Sequence, residues 1–227
     1  MLGDKIERKL GFIRIPNLMF TIVVISGFVF LVDYVSIIQG GRPFLNYMLR
    51  FSKALILRGQ IWRVFGFVFT QLNSNLFFAF LEAYFLYFLG TSLEASVGVR
   101  RFSLFYIFGV IFSIFTGFLT GRTTITFVNM TMFFAFASIN PNRKLLLFFF
   151  IPINTILIGM LDAAYFFVTI LVALIRKDFA TALAAVAALI NFLIFFGPRF
   201  FIDIFNVLKG FQQRSKRMYE NGSYWDS

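Results

Sequence analysis

Polar side chains stand inside long apolar runs at three positions of this sequence. Glu82, Asp162 and Asn191 each lie among aliphatic and aromatic residues. Such a group is costly in lipid unless it faces a neighbouring helix or a water-filled cavity. Two interpretations stay open for both carboxylates: contact with a membrane-embedded client, or a structural contact within the protein. Asn191 is also a candidate client-binding residue, although an interhelical hydrogen bond is the simpler expectation.

The composition indicates that lipid is the solvent around these residues. The 227 residues are 59% hydrophobic and 14% charged, and a soluble domain of this length has too little interior to bury that much apolar surface. Cysteine and histidine are absent, so we predict no disulfides, no metal and no cofactor. The net charge of +11 comes from basic residues between apolar runs, which favours membrane lipids over nucleic acid as partners.

The apolar runs predict the architecture. A bilayer core of about 30 Å needs about 20 apolar residues per helix. The runs, two of them short enough to suit helices sheltered inside a bundle, are Met19–Ile38, Leu76–Leu89, Phe102–Thr120, Thr124–Ile139, Thr155–Ile175 and Phe179–Phe196. We therefore expect an all-α membrane protein with a six-transmembrane-helix bundle at 19–198. A basic N-terminus at 1–18 precedes it, and a basic tail at 199–227 follows.

The basic residues predict the orientation. Six spans place both termini on one side, together with Arg100, Arg101, Arg143 and Lys144. The short loops of the other side carry few basic residues, so the positive-inside rule predicts cytoplasmic termini. Composition favours a bacterial plasma membrane over the endoplasmic reticulum.

Two connecting segments are unusual. The long first loop at 39–74 contains Asn46–Ile56, in which apolar and basic residues alternate at helical spacing, as in an amphipathic helix lying in the membrane interface. Leu145–Ile153 is apolar but is interrupted by Pro152 and is too short to span. We expect the second segment to be a loop that dips into the interface.

Two short motifs flank the second span. The first holds Gln60, Trp62 and Arg63; Trp suits the membrane boundary, and an Arg there can donate to backbone carbonyls of a loop. The second ends the span with four spaced residues: Gly90, Glu94, Gly98 and Arg101. Here glycine can end a helix or permit a turn, and the carboxylate can accept from loop amides.

Together these motifs resemble those of the rhomboid superfamily, which includes the derlins. The second motif is similar to the family pattern G-x-x-x-E-x-x-x-G followed by a basic and an aromatic residue. The resemblance covers roughly residues 40–195. It implies a six-helix scaffold with cytoplasmic termini and a partly embedded first loop.

The resemblance also implies where catalytic groups would stand. Active members use a serine on the fourth span and a histidine on the sixth, assisted by a histidine and an asparagine on the second span. The second-span positions fall at Phe78 and Glu82, and the sixth-span histidine is replaced near Thr181. On the fourth span the Gly-Ser-Gly signature is missing and the region reads Thr124-Ile-Thr126-Phe-Val-Asn129-Met-Thr131, in which Thr126 and Asn129 are the candidate positions. Since a hydroxyl needs a base to become a nucleophile and the chain has no histidine, we expect a pseudoprotease.

The resulting hypothesis is a catalytically inactive, derlin-like protein that binds transmembrane segments of client proteins, in membrane-protein quality control or degradation. A protease or an extraction ATPase would then act on the client. One alternative is an intramembrane protease with non-standard groups, such as a dyad of Thr126 and Lys177. The other is a small ion- or proton-coupled transporter that uses the intramembrane carboxylates.

Overall fold

The computed structural model describes residues 2–10, 12–70, 75–139, 144–147 and 151–197. The predicted tail at 199–227 lies outside the described residues. Each predicted apolar run forms a helix, and a short helix precedes the first. The main helices are α1 (Leu2–Lys9), α2 (Leu18–Ile38), α6 (Leu76–Val97), α7 (Val99–Thr120), α8 (Thr126–Ile139), α9 (Thr155–Ile175) and α10 (Phe179–Phe195). The long segment after α2 adds α3 (Phe44–Leu49), α4 (Lys53–Ile56), α5 (Arg63–Gly66) and a 3-10 turn at Phe67–Phe69.

Three of these helices are long and apolar enough to cross a membrane: α2, α6 and α7. Three others are shorter apolar helices, namely α8, the stretch Gly159–Ile175 of α9, and α10. Large apolar side chains point outwards from several of them; for example, 63% of Phe28, 72% of Phe80 and 65% of Phe167 is exposed. This surface suits lipid rather than water, so the helical membrane-protein character predicted from composition is supported.

The short helix α8 lies at the centre of the bundle. It contacts α6, α7, α9 and α10, and most of its residues are buried. Its 14 residues rise about 21 Å, less than the bilayer core of about 30 Å. Because its neighbours shelter it, α8 does not need the length of a lipid-facing span.

Phenylalanine rings fill the space around α8. Phe134 packs against Phe192 of α10 and Phe166 of α9, with ring centroids 5.4 and 5.6 Å apart. Phe105 of α7 meets Phe196 edge to face at 5.1 Å. Aromatic pairs at these separations add about 0.5–1.5 kcal/mol each beyond the area that they bury, so the phenylalanines serve the interior as well as the lipid-facing surface.

The expectation that Gly90 ends the second span is wrong. Helix α6 continues through Gly90 to Val97. A Cβ at Gly90 would lie 2.3 Å from side-chain atoms of Met19, so this glycine lets α2 approach α6 closely. The turn comes at Gly98, whose φ of 88° is a conformation that favours glycine, and α7 starts at the next residue.

The predicted amphipathic helix Asn46–Ile56 is also wrong as a single element. The helix breaks after Leu49 and restarts at Lys53. Between them the Phe51 side chain is 2% exposed and packs edge to face against Phe67 and Phe118. Insertion of this ring into the core pulls the chain out of helical geometry.

The described parts of the predicted interfacial loop at Leu145–Ile153 belong to two β-strands rather than to a loop. Strands β1 (Lys144–Leu147) and β2 (Ile151–Asn154) pair antiparallel, with Leu146 opposite Pro152. A two-stranded sheet has only edge strands, which tolerate proline despite its missing N–H. The proline therefore did not exclude a strand here.

Candidate functional site

Three cavities lie near the end of the bundle at which α2 ends and α6, α8 and α10 begin. The first, of about 280 Å³, lies between α2 and α3. The second, of about 270 Å³, lies between the link from α3 to α4 and the starts of α8 and α10. The third, of about 320 Å³, lies between α6 and α8.

The third cavity brings together four residues predicted to mark a former active site. Phe78 and Glu82 line it from α6, and Thr126 and Asn129 line it from α8. The rest of its wall is apolar and consists of Leu81, Phe85, Leu86, Met130 and Phe133. The fifth predicted position, Thr181, lies apart from them on the second cavity.

Hydrogen bonds hold the polar groups of the third cavity in place. The Tyr106 hydroxyl lies 3.1 Å from Asn129 Oδ1, which ties α7 to α8. The Thr126 hydroxyl lies 2.8 Å from that of Thr124. Glu82 is half-buried. The cavity therefore offers a carboxylate, an amide and a hydroxyl on an apolar wall, which is an arrangement for binding a polar group.

The alternative dyad of Thr126 and Lys177 is not assembled. Lys177 is exposed in the turn between α9 and α10, with φ at 55°. Within the described residues no hydrogen bond joins its amine to the Thr126 hydroxyl.

The other two candidate client-binding residues lie away from the third cavity. Asn191 is fully buried and donates from Nδ2 to the Phe105 carbonyl at 3.0 Å, which ties α10 to α7. Asp162 is 7% exposed on α9, and its Oδ2 has no hydrogen-bond partner among the described residues. Neither residue lines any of the three cavities. Of the three candidates, only Glu82 lines one of these three cavities.

The residues of the first motif form one cluster around α3. Arg63 is 3% exposed; its Nη1 donates to the Tyr47 and Arg50 carbonyls at 2.7 and 2.9 Å, and its Nε donates to Gln60 Oε1 at 2.7 Å. Trp62 donates from Nε1 to the Met48 carbonyl at 3.2 Å. These carbonyls belong to the end of α3, where a helix lacks internal donors. The cluster therefore fixes the fold of the first loop.

The second motif fixes the opposite end of the bundle. Glu94 Oε1 accepts from the Asn17 backbone N–H at 3.1 Å, at the start of α2. Arg101 donates to the Phe195 carbonyl at 2.6 Å and lies 4.0 Å from the carboxylate of Glu7 on α1. Together these contacts join α1, α2 and α10 to the turn between α6 and α7.

The sequence patterns above do not single out two carboxylates that cap helix starts, Asp33 and Asp178. Asp33 of α2 is buried and accepts from the backbone N–H groups of Leu45 and Asn46 at 2.7 and 2.8 Å, so it caps the start of α3. Its position inside an apolar run was a signal, as it was for Glu82.

Asp178 caps the start of α10. It accepts from the backbone N–H of Thr181 and pairs with Arg122 at 2.8 Å. The hydrogen bond from Arg122, followed by those from Thr181, lowers the pKa of Asp178 from 3.8 to about 2. An aspartate directly before an alanine-rich run was a recognisable helix-start signal.

The site offers hydrogen-bonding groups rather than metal ligands. In the part of the chain that the structure describes, no three histidine, cysteine or carboxylate side chains group so that they could hold a metal ion. Comparison with protein-family models, with curated proteins and with solved structures finds no match for this chain.

Proposed function

We propose that this protein is a rhomboid-like, non-proteolytic membrane protein that binds a transmembrane segment of a client at the third cavity. The observation that carries the proposal is the Glu82 carboxylate, which lies with the Thr126 hydroxyl and the Asn129 amide on a mostly apolar wall between α6 and α8. Carboxylates at membrane depth are rare and usually mark a functional site. The cavity volume of about 320 Å³ is at the small end for ligand pockets, so one client side chain is the expected occupant.

A binding role fits the chemistry of the cavity better than proteolysis does. The only hydroxyl that lines the third cavity from α8 is that of Thr126, and it is hydrogen-bonded to the hydroxyl of Thr124. The chain contains no histidine to act as base, and a hydroxyl without a base is a poor nucleophile. A carboxylate at Glu82 would repel the negative charge that develops during acyl transfer.

The arrangement of the helices supports the rhomboid-like part of the proposal. Of the other apolar helices, α6, α7, α9 and α10 contact the buried helix α8. Trp62 and Arg63 donate hydrogen bonds to carbonyls at the end of α3, and these contacts in the first loop support the proposal. We propose that all six helices span the membrane, with cytoplasmic termini in a bacterial plasma membrane. A protease or an extraction ATPase is the proposed partner that decides the fate of the client.

Defined peptides test the proposal. The full chain is reconstituted in nanodiscs with labelled polyleucine transmembrane peptides that carry leucine, asparagine or lysine at the centre. Interhelical polar contacts in membranes contribute about 1–2 kcal/mol, so the polar peptides should bind about 5- to 30-fold more tightly than the leucine peptide. Glu82→Gln should abolish the preference for lysine.

Asp162→Asn is the matched control, because it neutralises a buried carboxylate that lines none of the three cavities. It should preserve the preference. Equal binding of all three peptides by the unaltered protein, or an equal loss in the two variants, would refute client recognition at Glu82.

A further inference from the structure

The second cavity differs from the third in its charge. Two arginines line it, Arg50 from the link between α3 and α4 and Arg122 from the link between α7 and α8. Threonine hydroxyls complete the polar part of the wall, and no carboxylate lines it. This wall suits an anion.

The net charge around the second cavity is about one positive unit, which matches a ligand with one negative charge. Asp178 pairs with Arg122 from outside the cavity wall, at 2.8 Å, and offsets one of the two cations. Arg50 makes a longer hydrogen bond of 3.3 Å to the neutral amide of Asn46, so its charge is not offset by that contact. A phosphodiester carries one negative charge at neutral pH, and arginine binds its oxygens well because the guanidinium donors form a planar fork.

An unsatisfied hydroxyl points to the same ligand. Thr123 lines the second cavity, and its Oγ1 is buried without a hydrogen-bond partner among the described residues. Buried polar atoms in native proteins are usually paired. The other three threonine hydroxyls on this wall are already hydrogen-bonded to protein oxygens: Thr70 to a carbonyl, Thr181 to Asp178 and Thr124 to the Thr126 hydroxyl. Thr123 is therefore the one that a ligand oxygen would satisfy.

The first cavity lies where the remaining, apolar portion of such a ligand would extend. Arg50 and Thr70 line both cavities, so the two are neighbours across these residues. On the α2 side of the first cavity, Val29, Phe30 and Ile37 provide apolar surface. Three polar side chains of α2 line the same side, namely Ser26, Asp33 and Tyr34. A molecule with a phosphodiester beside Arg50 and an apolar portion along α2 would fit both.

We propose that the second cavity binds the phosphodiester of an anionic phospholipid. Arg50 and Arg122 donate to its non-bridging oxygens, and the Thr123 hydroxyl donates a further hydrogen bond. A headgroup with its own cation is disfavoured, since only cations and neutral groups line the cavity. This site is separate from the client site, so either proposal can fail alone.

Thermal unfolding of the purified full chain in detergent tests the site. The probes are short-chain phosphatidylglycerol, short-chain phosphatidylcholine and inorganic phosphate, each titrated separately. Phosphatidylglycerol should raise the unfolding temperature saturably and at lower concentration than phosphatidylcholine. Equal protection by inorganic phosphate would show a site for free phosphate and would overturn the lipid assignment.

Matched variants locate the effect. Hydrogen bonds to charged groups are strong enough that Arg50→Gln should weaken binding of phosphatidylglycerol at least about tenfold. Thr123→Val keeps the shape of the side chain, removes the hydroxyl and should weaken binding about three- to tenfold. Arg58→Gln makes the same charge change at an exposed residue of the same segment that lines none of the three cavities. It should bind as the unaltered chain does. An equal loss in Arg50→Gln and Arg58→Gln, or no change in Arg50→Gln and Thr123→Val, would refute the site.

Discussion

Replacement of Arg63 by methionine should loosen the first loop without unfolding the bundle. The guanidinium donates to two carbonyls at the end of α3, those of Tyr47 and Arg50. An acceptor that loses its partner costs about 1–3 kcal/mol when buried. Because these bonds are only partly buried, we expect about 1–2 kcal/mol for each carbonyl, or about 2–4 kcal/mol in total.

Hydrogen exchange measured by mass spectrometry can test this value. The reporters are amides whose partners lie outside the segment: Leu45 and Asn46, which donate to Asp33, and Lys53, which donates to the Gly121 carbonyl. A loss of about 2–4 kcal/mol in local opening free energy corresponds to about 30- to 700-fold faster exchange of these amides. Amides in the middle of α7 should be unaffected.

Two further variants sharpen the test. Arg63→Lys should give an intermediate effect, because an ammonium keeps the charge but lacks the planar fork that reaches several oxygens. Arg58→Met removes an exposed cation from the same segment and should leave exchange unchanged. Acceleration below about threefold in Arg63→Met, which is under about 0.7 kcal/mol, or equal acceleration in Arg58→Met, would refute the reasoning.

Two other perturbations have expected outcomes. Gly90→Ala should lower the unfolding temperature in calorimetry, since its Cβ would lie 2.3 Å from Met19 atoms and overpacking typically costs about 1–3 kcal/mol. Gly27→Ala should not lower it, because the added Cβ has no described atom within 4 Å. Equal effects of the two variants would contradict the close approach of α2 and α6. Asp178 has a pKa lowered from 3.8 to about 2, so its stabilising contribution is present above about pH 4 and is lost as pH falls towards 2. Acid titration of stability should therefore be shallower over that window in Asp178→Asn, and an unchanged slope would refute the role of Arg122.

The sequence predicts the long helices because hydrophobic length is a local property. The runs at Met19–Ile38 and Thr155–Ile175 agree with α2 and α9 to within one residue at each end. Helix α6 is longer than predicted. Glycine is typical of helix ends, but Gly90 lies within the helix and allows close packing against another helix. Whether a glycine ends a helix or admits a neighbour depends on a residue far away in the chain, which a single sequence does not reveal.

The contacts of the site are harder to predict for the same reason. Donation by Arg63 to backbone carbonyls could be anticipated from residue type, but its acceptors, near Tyr47 and Arg50, could not. The buried Phe51 ring breaks a helical pattern that is locally consistent. The meeting of Glu82 with Thr126 and Asn129 in one cavity depends on how α6 and α8 pack.

Hydrogen bonds to the main chain fix both ends of helix α3. Asp33 accepts hydrogen bonds from two backbone amides at its start, and Trp62 and Arg63 donate hydrogen bonds to backbone carbonyls at its end. Peptide groups are the same whatever side chains they carry. Substitutions within α3 would therefore leave these hydrogen bonds in place. In related sequences we expect Asp33, Trp62 and Arg63 to be retained while the residues of α3 vary.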